Sequence, residues 1–299
     1  MLPASILPAV TAPQPHSLPP EGLNLDWAGY LRAREYRRAL AAARVGNAEP
    51  EVQAALEDLF DLQEALRARR LGLASRLATR LNTHIAAMET PDLFRRALDP
   101  DGLSDPDELF NPEDLGASRL EAGVAALLAA DGERLTDAPS LEARLGPALV
   151  EPLTRAEALN TLGVLHALQD REAQARQAFG EAFAHDPGHY RALTNLGNMA
   201  LEGGDPASAE KLYRQAIALS GDYAGAHHNL GVALRKLGRL NDSVKAIKAG
   251  QRLSVRQTRR DQDDELKSDP GTQRTVQLLR IGMIVVVVVL VLLAVRGRF

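Results

Sequence analysis

One spacing in the second half of the sequence constrains what the chain can fold into. The dipeptide Leu-Gly occurs three times, and its glycines, Gly163, Gly197 and Gly231, lie 34 residues apart. Small residues recur in the same phase where two helices must touch, and large ones where the next repeat packs: Ala175, Ala209 and Ser243; Phe179, Tyr213 and Ile247; Ala182, Ala216 and Gly250. This spacing predicts three copies of a helix pair that bury their apolar faces by stacking.

Composition favours helices and excludes several classes of site. The 299 residues are 45% hydrophobic but only 4% aromatic, so any core is built from Ala, Leu and Val. Cysteine is absent, which excludes disulfides, thiolate nucleophiles and cysteine-ligated metal sites. The net charge is -4, and acidic and basic residues nearly balance, so no global field attracts nucleic acid.

The part of the chain that precedes the repeats is predicted to be helical. Residues 1–22 carry six prolines and no Lys or Arg, which fits a disordered lead and neither a secretory signal nor a mitochondrial presequence. Residues 23–117 are predicted as an N-terminal helical region with an acidic loop, and residues 118–154 as a short helical pair. A group of arginines there is expected to face an anionic partner or lipid headgroups, or else to be solvated: Arg67, Arg69, Arg70, Arg76 and Arg80.

The repeat segment, residues 155–257, resembles the tetratricopeptide repeat family. The likeness rests on the 34-residue period, the Leu-Gly dipeptide, the A-x3-F/Y pattern of the second helix and the Asp186-Pro187 that ends a repeat. The inter-helix glycine of the family is replaced by Asp170 in the first repeat. The third repeat departs most from the family pattern and is expected to act as an end cap. In this family the pairs stack into a superhelix whose first helices line a groove for another protein.

The resemblance implies a partner-binding groove. Groove positions of the family, projected onto this sequence, give polar residues that would hydrogen-bond an extended backbone or a carboxylate, or else would be solvated: Asn160, Arg191, Thr194, Asn198, His228 and Arg235. No Lys occupies the groove positions of the first two repeats. This disfavours the ligand of the subgroup that clamps the C-terminal carboxylate of heat-shock chaperones.

Motifs of catalysis are missing from the sequence. There is no G-x-S-x-G, P-loop, G-x-G-x-x-G or H-E-x-x-H, so no catalytic residue, cofactor or metal is predicted. The closest metal-like spacing is that of His185 and His189 in "HDPGH". It falls on the turn between two repeats, where a structural role is expected.

The C-terminal sequence predicts a membrane anchor. Residues 258–275 are polar, contain Pro270-Gly271 and are predicted to form a stalk. Residues 276–296 include an uncharged run from Ile281 to Val295 and are predicted to form a transmembrane helix. With no export signal in front, this anchor resembles that of tail-anchored proteins, with the bulk of the chain cytoplasmic. A buried strand at residues 285–289 is the alternative, but no sheet is predicted to receive it.

Together these features predict an all-α protein, in which a tetratricopeptide-type superhelix follows a helical N-terminal region and precedes one transmembrane helix. The predicted function is a scaffold or adaptor, not an enzyme, that holds a partner protein at the cytosolic membrane face. The predicted partners are a protein or peptide in the groove and the lipid bilayer, with no nucleic acid. One alternative is an enzyme or enzyme subunit with its site in residues 23–150. Another is a relative of the mitochondrial fission adaptors, which the Arg-rich composition disfavours.

Overall fold

The computed structural model describes residues 26–89, 91, 94, 117–133 and 137–268. These residues form helices joined by turns, with no β-strand among them, so the all-α prediction is confirmed. The predictions for the lead at 1–22, the acidic loop and the chain beyond residue 268 lie outside the described residues. In chain order the helices are α1 (Trp27–Arg32), α2 (Tyr36–Val45), α3 (Pro50–Arg67), α4 (Leu71–Ala87), α5 (Ala117–Glu133), α6 (Ala138–Val150), α7 (Arg155–Leu168), α8 (Glu172–His185), α9 (Tyr190–Glu202), α10 (Pro206–Leu219), α11 (Ala224–Lys236) and α12 (Leu240–Ser268).

Each helix packs against the next one along the chain. The N-terminal helices and the first helix of the repeats share one apolar core, which extends from Leu31 in α1 to Leu165 in α7. Smaller apolar clusters join the later hairpins, around Leu193, Phe179 and Leu234. The helical region and the repeats are therefore one continuous stack.

The turn inside each repeat hairpin has the same backbone conformation. Asp170, Gly204 and Gly238 lie 34 residues apart in the sequence and have φ values of 57°, 82° and 77°. The next residue donates its N–H to a carbonyl five positions earlier: Arg171 to His166, Asp205 to Ala200 and Arg239 to Leu234, at 2.8–2.9 Å. This is the cap that commonly ends a helix in the left-handed region. Asp tolerates that region better than most residues, which explains how Asp170 replaces the glycine.

The Leu-Gly dipeptide marks the closest approach of the two helices in a repeat. At Gly197 in α9, an added Cβ would lie 2.6 Å from the ring of the large residue in α10, well inside van der Waals contact. The 34-residue period is therefore a packing constraint, in which a glycine of the first helix makes room for a large side chain of the second. The contact recurs between Gly163 and Phe179, Gly197 and Tyr213, and Gly231 and Ile247.

Arg67, at the end of α3, joins the N-terminal helices to the repeats. Its Nε and Nη2 atoms donate to the two carboxylate oxygens of Asp186 at 2.7 and 2.5 Å. Its Nη1 atom donates to Glu64 at 2.7 Å. The guanidinium lies against Gly188, where a Cβ would not fit. The Arg67 and Asp186 side chains are only 18% and 11% exposed, so the turn after α8 is held by a largely buried ion pair.

Two other members of the arginine group also bind carboxylates of the chain itself. Arg69 Nε donates to Asp131 Oδ1 at 3.1 Å. Arg80 donates to Oδ1 of Asp58. The Asp58 side chain is only 2% exposed, and its Oδ2 atom lies 3.0 Å from the Nδ1 atom of His84. Together with Arg67, three of the five arginines therefore form ion pairs with carboxylates of the same chain.

The predicted localisation, a single-pass C-terminal membrane anchor with a cytoplasmic bulk, is corrected by the structure. Among the described residues no helix is both long enough and apolar enough to cross a bilayer. The longest, α12, would span about 44 Å at 1.5 Å per residue, but its second half contains the charged run "RQTRRDQDDELK". That helix also includes residues 258–268, the first part of the predicted stalk. Residues 276–296, where the anchor is predicted, lie outside the described residues.

Replacing Gly197 by Ala tests the contact between glycine and ring. We expect Gly197→Ala to lower the free energy of unfolding by about 1–3 kcal/mol, because the added methyl group overpacks the space against Tyr213. Urea unfolding followed by circular dichroism measures the change. Gly180→Ala in α8 is the matched control, because its Cβ would meet no atom within 4 Å. There we expect a gain of about 0.5–1 kcal/mol. Effects of the same sign in both variants would contradict the packing explanation.

Replacing Arg67 by Met tests the ion pair between the N-terminal helices and the repeats. We expect a loss of about 3 kcal/mol in the free energy of unfolding at pH 7, because Asp186 would remain buried without its counter-charge. Arg76→Met removes an exposed arginine of α4 and should change stability by no more than about 0.5 kcal/mol. Equal losses in the two variants would show that the buried pair contributes nothing.

The effect of Arg67→Met should also depend on pH. Burial alone would raise the pKa of Asp186, but the hydrogen bonds and charge of Arg67 outweigh it and hold that pKa below its ordinary value. A carboxyl with a lowered pKa contributes stability above its ordinary pKa and loses it as the pH falls through the lowered value. The gap between wild type and variant should therefore shrink below about pH 4. A gap that stays constant down to acid unfolding contradicts this assignment.

Candidate protein-binding groove

The first helices of the three repeats, α7, α9 and α11, lie side by side. Four hydrogen bonds cross from one of these helices to the next: Arg191 to Glu157, Asn195 to Asn160, Asn229 to Asn198, and Lys236 to the carbonyl of Leu201. Each joins residues 31 to 35 positions apart, so the repeat period itself brings the partners together. We call the surface that these four bonds cross the groove face.

Two asparagine pairs form the middle of the groove face. The Nδ2 atom of Asn195 donates to Oδ1 of Asn160 at 2.9 Å, and that of Asn229 donates to Oδ1 of Asn198 at 2.8 Å. The Tyr213 hydroxyl donates to the same Asn198 oxygen at 2.8 Å, so α10 fixes the orientation of this amide. The pair of Asn198 and Asn229 is thus held from two sides.

Three of these asparagines keep hydrogen-bonding capacity that the described residues do not use. An amide group has one acceptor oxygen and a two-proton donor nitrogen. Asn195 and Asn229 use the nitrogen, which leaves the oxygen free, and Asn198 uses the oxygen, which leaves the nitrogen free. All three side chains are partly exposed. Two acceptors and one donor are therefore available to a ligand.

Asn160 differs from the other three because it is fully buried. Its Oδ1 atom accepts from Asn195, but its Nδ2 atom has no hydrogen-bond partner within the described part of the chain. A buried donor left without a partner costs about 1–3 kcal/mol. Asn160 therefore orients Asn195 from beneath and does not itself reach the surface.

Glu157 lies at one end of the groove face, in the first turn of α7. Its carboxylate is 2% exposed and accepts from Arg191 at 2.9 Å and from His189 at 3.0 Å, with Arg69 Nη1 at 3.7 Å. Burial alone would raise the pKa of Glu157, but the charge of Arg191 and the hydrogen bond with His189 outweigh it and lower the pKa. The carboxylate is therefore ionised at neutral pH.

The ring of His189 has a structural role in this cluster. Its Nδ1 atom accepts from the backbone N–H of Ala192 at 3.1 Å and so caps the start of α9. The proton is then on Nε2, which donates to Glu157. Both ring nitrogens are engaged within the turn of "HDPGH". Within the described residues, no cluster of His, Asp and Glu is arranged to hold a metal ion.

The six residues projected from the resemblance occupy three kinds of position. Three face the interior: Asn160 beneath Asn195, Arg191 on Glu157, and Thr194, whose hydroxyl donates to the Tyr190 carbonyl at 2.9 Å. Asn198 lies in the middle of the groove face and is partly exposed. His228 and Arg235 are exposed on α11. A binding role for these six residues stays a prediction.

The projection missed Glu157, Asn195 and Asn229, although the sequence contains a signal for each. Asn195 and Asn229 directly precede the second and third Leu-Gly dipeptides, so they recur in phase at 34 residues. Glu157 precedes Arg191 by the same 34 residues, which places opposite charges at equivalent positions of neighbouring helices. The in-phase charges indicate the contact of Glu157 with Arg191, and the in-phase asparagines indicate which positions of α9 and α11 face the preceding first helix.

Comparison with known proteins bears on the repeats. Residues 162–224 and 194–254 match the family described as Tetratricopeptide repeat, which is less than half of the chain. No curated protein matches the sequence. Two similar solved structures are a crystal structure of MamA, with 19% identity over 52% of this chain and 98% of that chain, and a crystal structure of MamA protein, with 18% identity over 67% and 92%.

The TM-scores of these two structures are 0.34 and 0.36, and at this level the likeness carries no inference about function. The family match falls within residues 155–257, the segment that resembles the family by its spacing. The match therefore confirms, for residues 162–254, the tetratricopeptide repeats that the sequence predicts.

Proposed function

We propose that this protein is a protein–protein interaction scaffold whose groove face binds an extended segment of another protein. The observation that supports this function is the set of three amide groups with unused hydrogen-bonding atoms on α9 and α11. An extended polypeptide presents N–H donors and C=O acceptors in alternation along its backbone. Asn195, Asn198 and Asn229 offer acceptor, donor and acceptor, which complements such a backbone.

The groove face is organised before a ligand arrives. Asn198 is fixed by the Tyr213 hydroxyl and by Asn229, and Asn195 is fixed by Asn160. Side chains that are already ordered lose little conformational entropy on binding, which favours affinity. Amide contacts to a backbone do not depend on the side chains of the ligand. Residues at the ends of the groove face are therefore expected to recognise the side chains of the bound segment.

The α11 end of the groove face is suited to an acidic ligand group. His228 and Arg235 are exposed there, and Arg235 makes no ion pair within the described residues. A charge-assisted hydrogen bond between Arg and a carboxylate is roughly twice as strong as a neutral one. The opposite end is occupied by Glu157, which already binds Arg191. A bound segment would therefore place its acidic end against α11.

A display library of random peptides, selected against the full-length protein, supplies probes for this proposal. We expect Asn229→Ala to weaken the selected peptides about tenfold, which corresponds to the loss of one hydrogen bond of about 1.4 kcal/mol. Asn198 keeps the Tyr213 hydroxyl as a donor, so the variant should remain folded. Fluorescence polarisation with labelled peptides measures affinity, and circular dichroism checks the fold.

Two double variants complete the experiment. His228→Ala with Arg235→Ala alters exposed groove residues and should weaken the peptides by a further tenfold or more. Arg176→Ala with Lys211→Ala removes two exposed cations from α8 and α10, the second helices, and should leave affinity unchanged. If the selected peptides bind all variants alike, or if selection returns no peptide that binds, the groove face is not the binding surface.

A further inference from the structure

The last repeat differs in charge from the rest of the chain. Residues 224–259 contain eight Lys and Arg against one acidic residue, Asp242, which gives this segment a net charge of +7. The whole chain has a net charge of -4. Basic side chains are therefore concentrated on α11 and on α12 up to Arg259, whereas residues 261–265 of α12 read "DQDDE" and are acidic.

Five of these cations form a stripe along one side of α12. They succeed one another at steps of three or four residues, which places them within about 80° of arc over about 21 Å of helix. All five are exposed. We call them the cationic stripe: Lys245, Lys248, Arg252, Arg256 and Arg259.

Within residues 224–259 the one acidic residue near the cationic stripe is Asp242, beside Lys245, and it is already bound by Arg239. Arg239, just before α12, binds Glu210 and Asp242. None of the five stripe residues makes an ion pair or a side-chain hydrogen bond within the described part of the chain up to residue 259. Like charges four positions apart on a helix destabilise it by about 0.2–0.5 kcal/mol per pair. The stripe is therefore unfavourable for the isolated chain, and a bound anionic group would relieve the repulsion.

Exposed apolar side chains lie next to the stripe on the same helix. Leu240, Val244 and Val255 are 62%, 50% and 54% exposed. On a helical projection at 100° per residue they border the cationic stripe along one of its two edges. The free side of α12 is thus amphipathic, with a narrow apolar strip beside a row of positive charge.

We propose that this side of α12 docks an acidic amphipathic helix of a partner protein. Carboxylates at steps of three and four residues on such a helix would match the cationic stripe in length and spacing, and its apolar residues would cover Leu240, Val244 and Val255. The surface belongs to the second helix of the last repeat. It is therefore separate from the groove face, and the inference does not depend on the proposed function.

Other anionic occupants fit this surface less well. The sequence of α12 has no aromatic residue on which the bases of a nucleic acid would stack. Helices that lie in a membrane interface carry a broad face with Trp, Phe or Leu. Here the apolar strip has three side chains, two of them Val, and the buried side of the helix is covered by α11.

The probe is a synthetic peptide with Glu at alternating steps of three and four residues and Leu beside them. A scrambled peptide with the same composition keeps the charge and loses the pattern. We expect the full-length protein to bind the patterned peptide at least tenfold more tightly than the scrambled one. Lys248→Gln with Arg252→Gln and Arg256→Gln should remove at least tenfold of that affinity, measured by fluorescence polarisation. Circular dichroism should show the same fold.

The matched control changes the net charge equally at other places. Arg37→Gln with Arg76→Gln and Arg176→Gln neutralises three exposed cations outside α12 and should change affinity by less than twofold. If the two triple variants lose equal affinity, or if the protein binds the two peptides equally well, then net charge alone explains the binding and the proposal is overturned. The lack of any peptide binding would also overturn it.

Competing occupants are tested with the same variants. One contrary outcome is that the protein binds duplex DNA, or vesicles containing phosphatidylserine, more tightly than the patterned peptide. If the stripe variant, which changes Lys248, Arg252 and Arg256, loses that binding, the proposal is overturned in favour of that ligand. Light scattering tests a second copy of this chain, whose residues 261–265 read "DQDDE". A dimer that the stripe variant abolishes would identify the second copy as the occupant instead.

Discussion

Each repeat depends on the close approach of a glycine in its first helix to a large side chain in its second. With a Cβ at Gly197, the ring of Tyr213 would have to move, and with it the hydroxyl that holds Asn198. The same contact sets how the two helices of a hairpin lie against each other. It thereby determines where the first helix presents its amides. Packing within a repeat and hydrogen bonding on the groove face are therefore two results of one constraint.

Much of the repeat architecture could be predicted because its causes are local and periodic. One signal is the close contact between helices that recurs every 34 residues at Gly163, Gly197 and Gly231. Another is the turn with positive φ, which favours glycine and occurs at Gly204 and Gly238. The N-terminal hairpins lack such signals, although the chain uses the same turn there. Asn47 and Arg69 have φ values of 51° and 55°, and the following residues bond five positions back in the same way. Arg69 accepts a strain of about 1 kcal/mol there.

The candidate site could be predicted to the level of a helix face but not to that of a side chain. Projection identified the first helices correctly as the elements that lie side by side. It could not tell that Arg191 is occupied by Glu157, because an arginine that binds a ligand and one that binds its neighbour look alike in a single repeat. Only comparison between repeats, which places Glu157 in phase with Arg191, separates the two. The partners of Arg67 lie beyond that method as well, since Asp186 is 119 residues away and outside any period.

That distance has a consequence for how the molecule holds together. Arrays of helical repeats behave almost as one-dimensional chains, in which each unit gains stability only from its neighbours and the ends can fray alone. A bond between residues 67 and 186 joins units that are not adjacent and closes a long loop. Unfolding of the N-terminal hairpin would expose Asp186 and Glu157 without Arg67 and Arg69. The segment from α3 to α10 is therefore expected to melt as one cooperative unit, with α11 and α12 left to open by themselves.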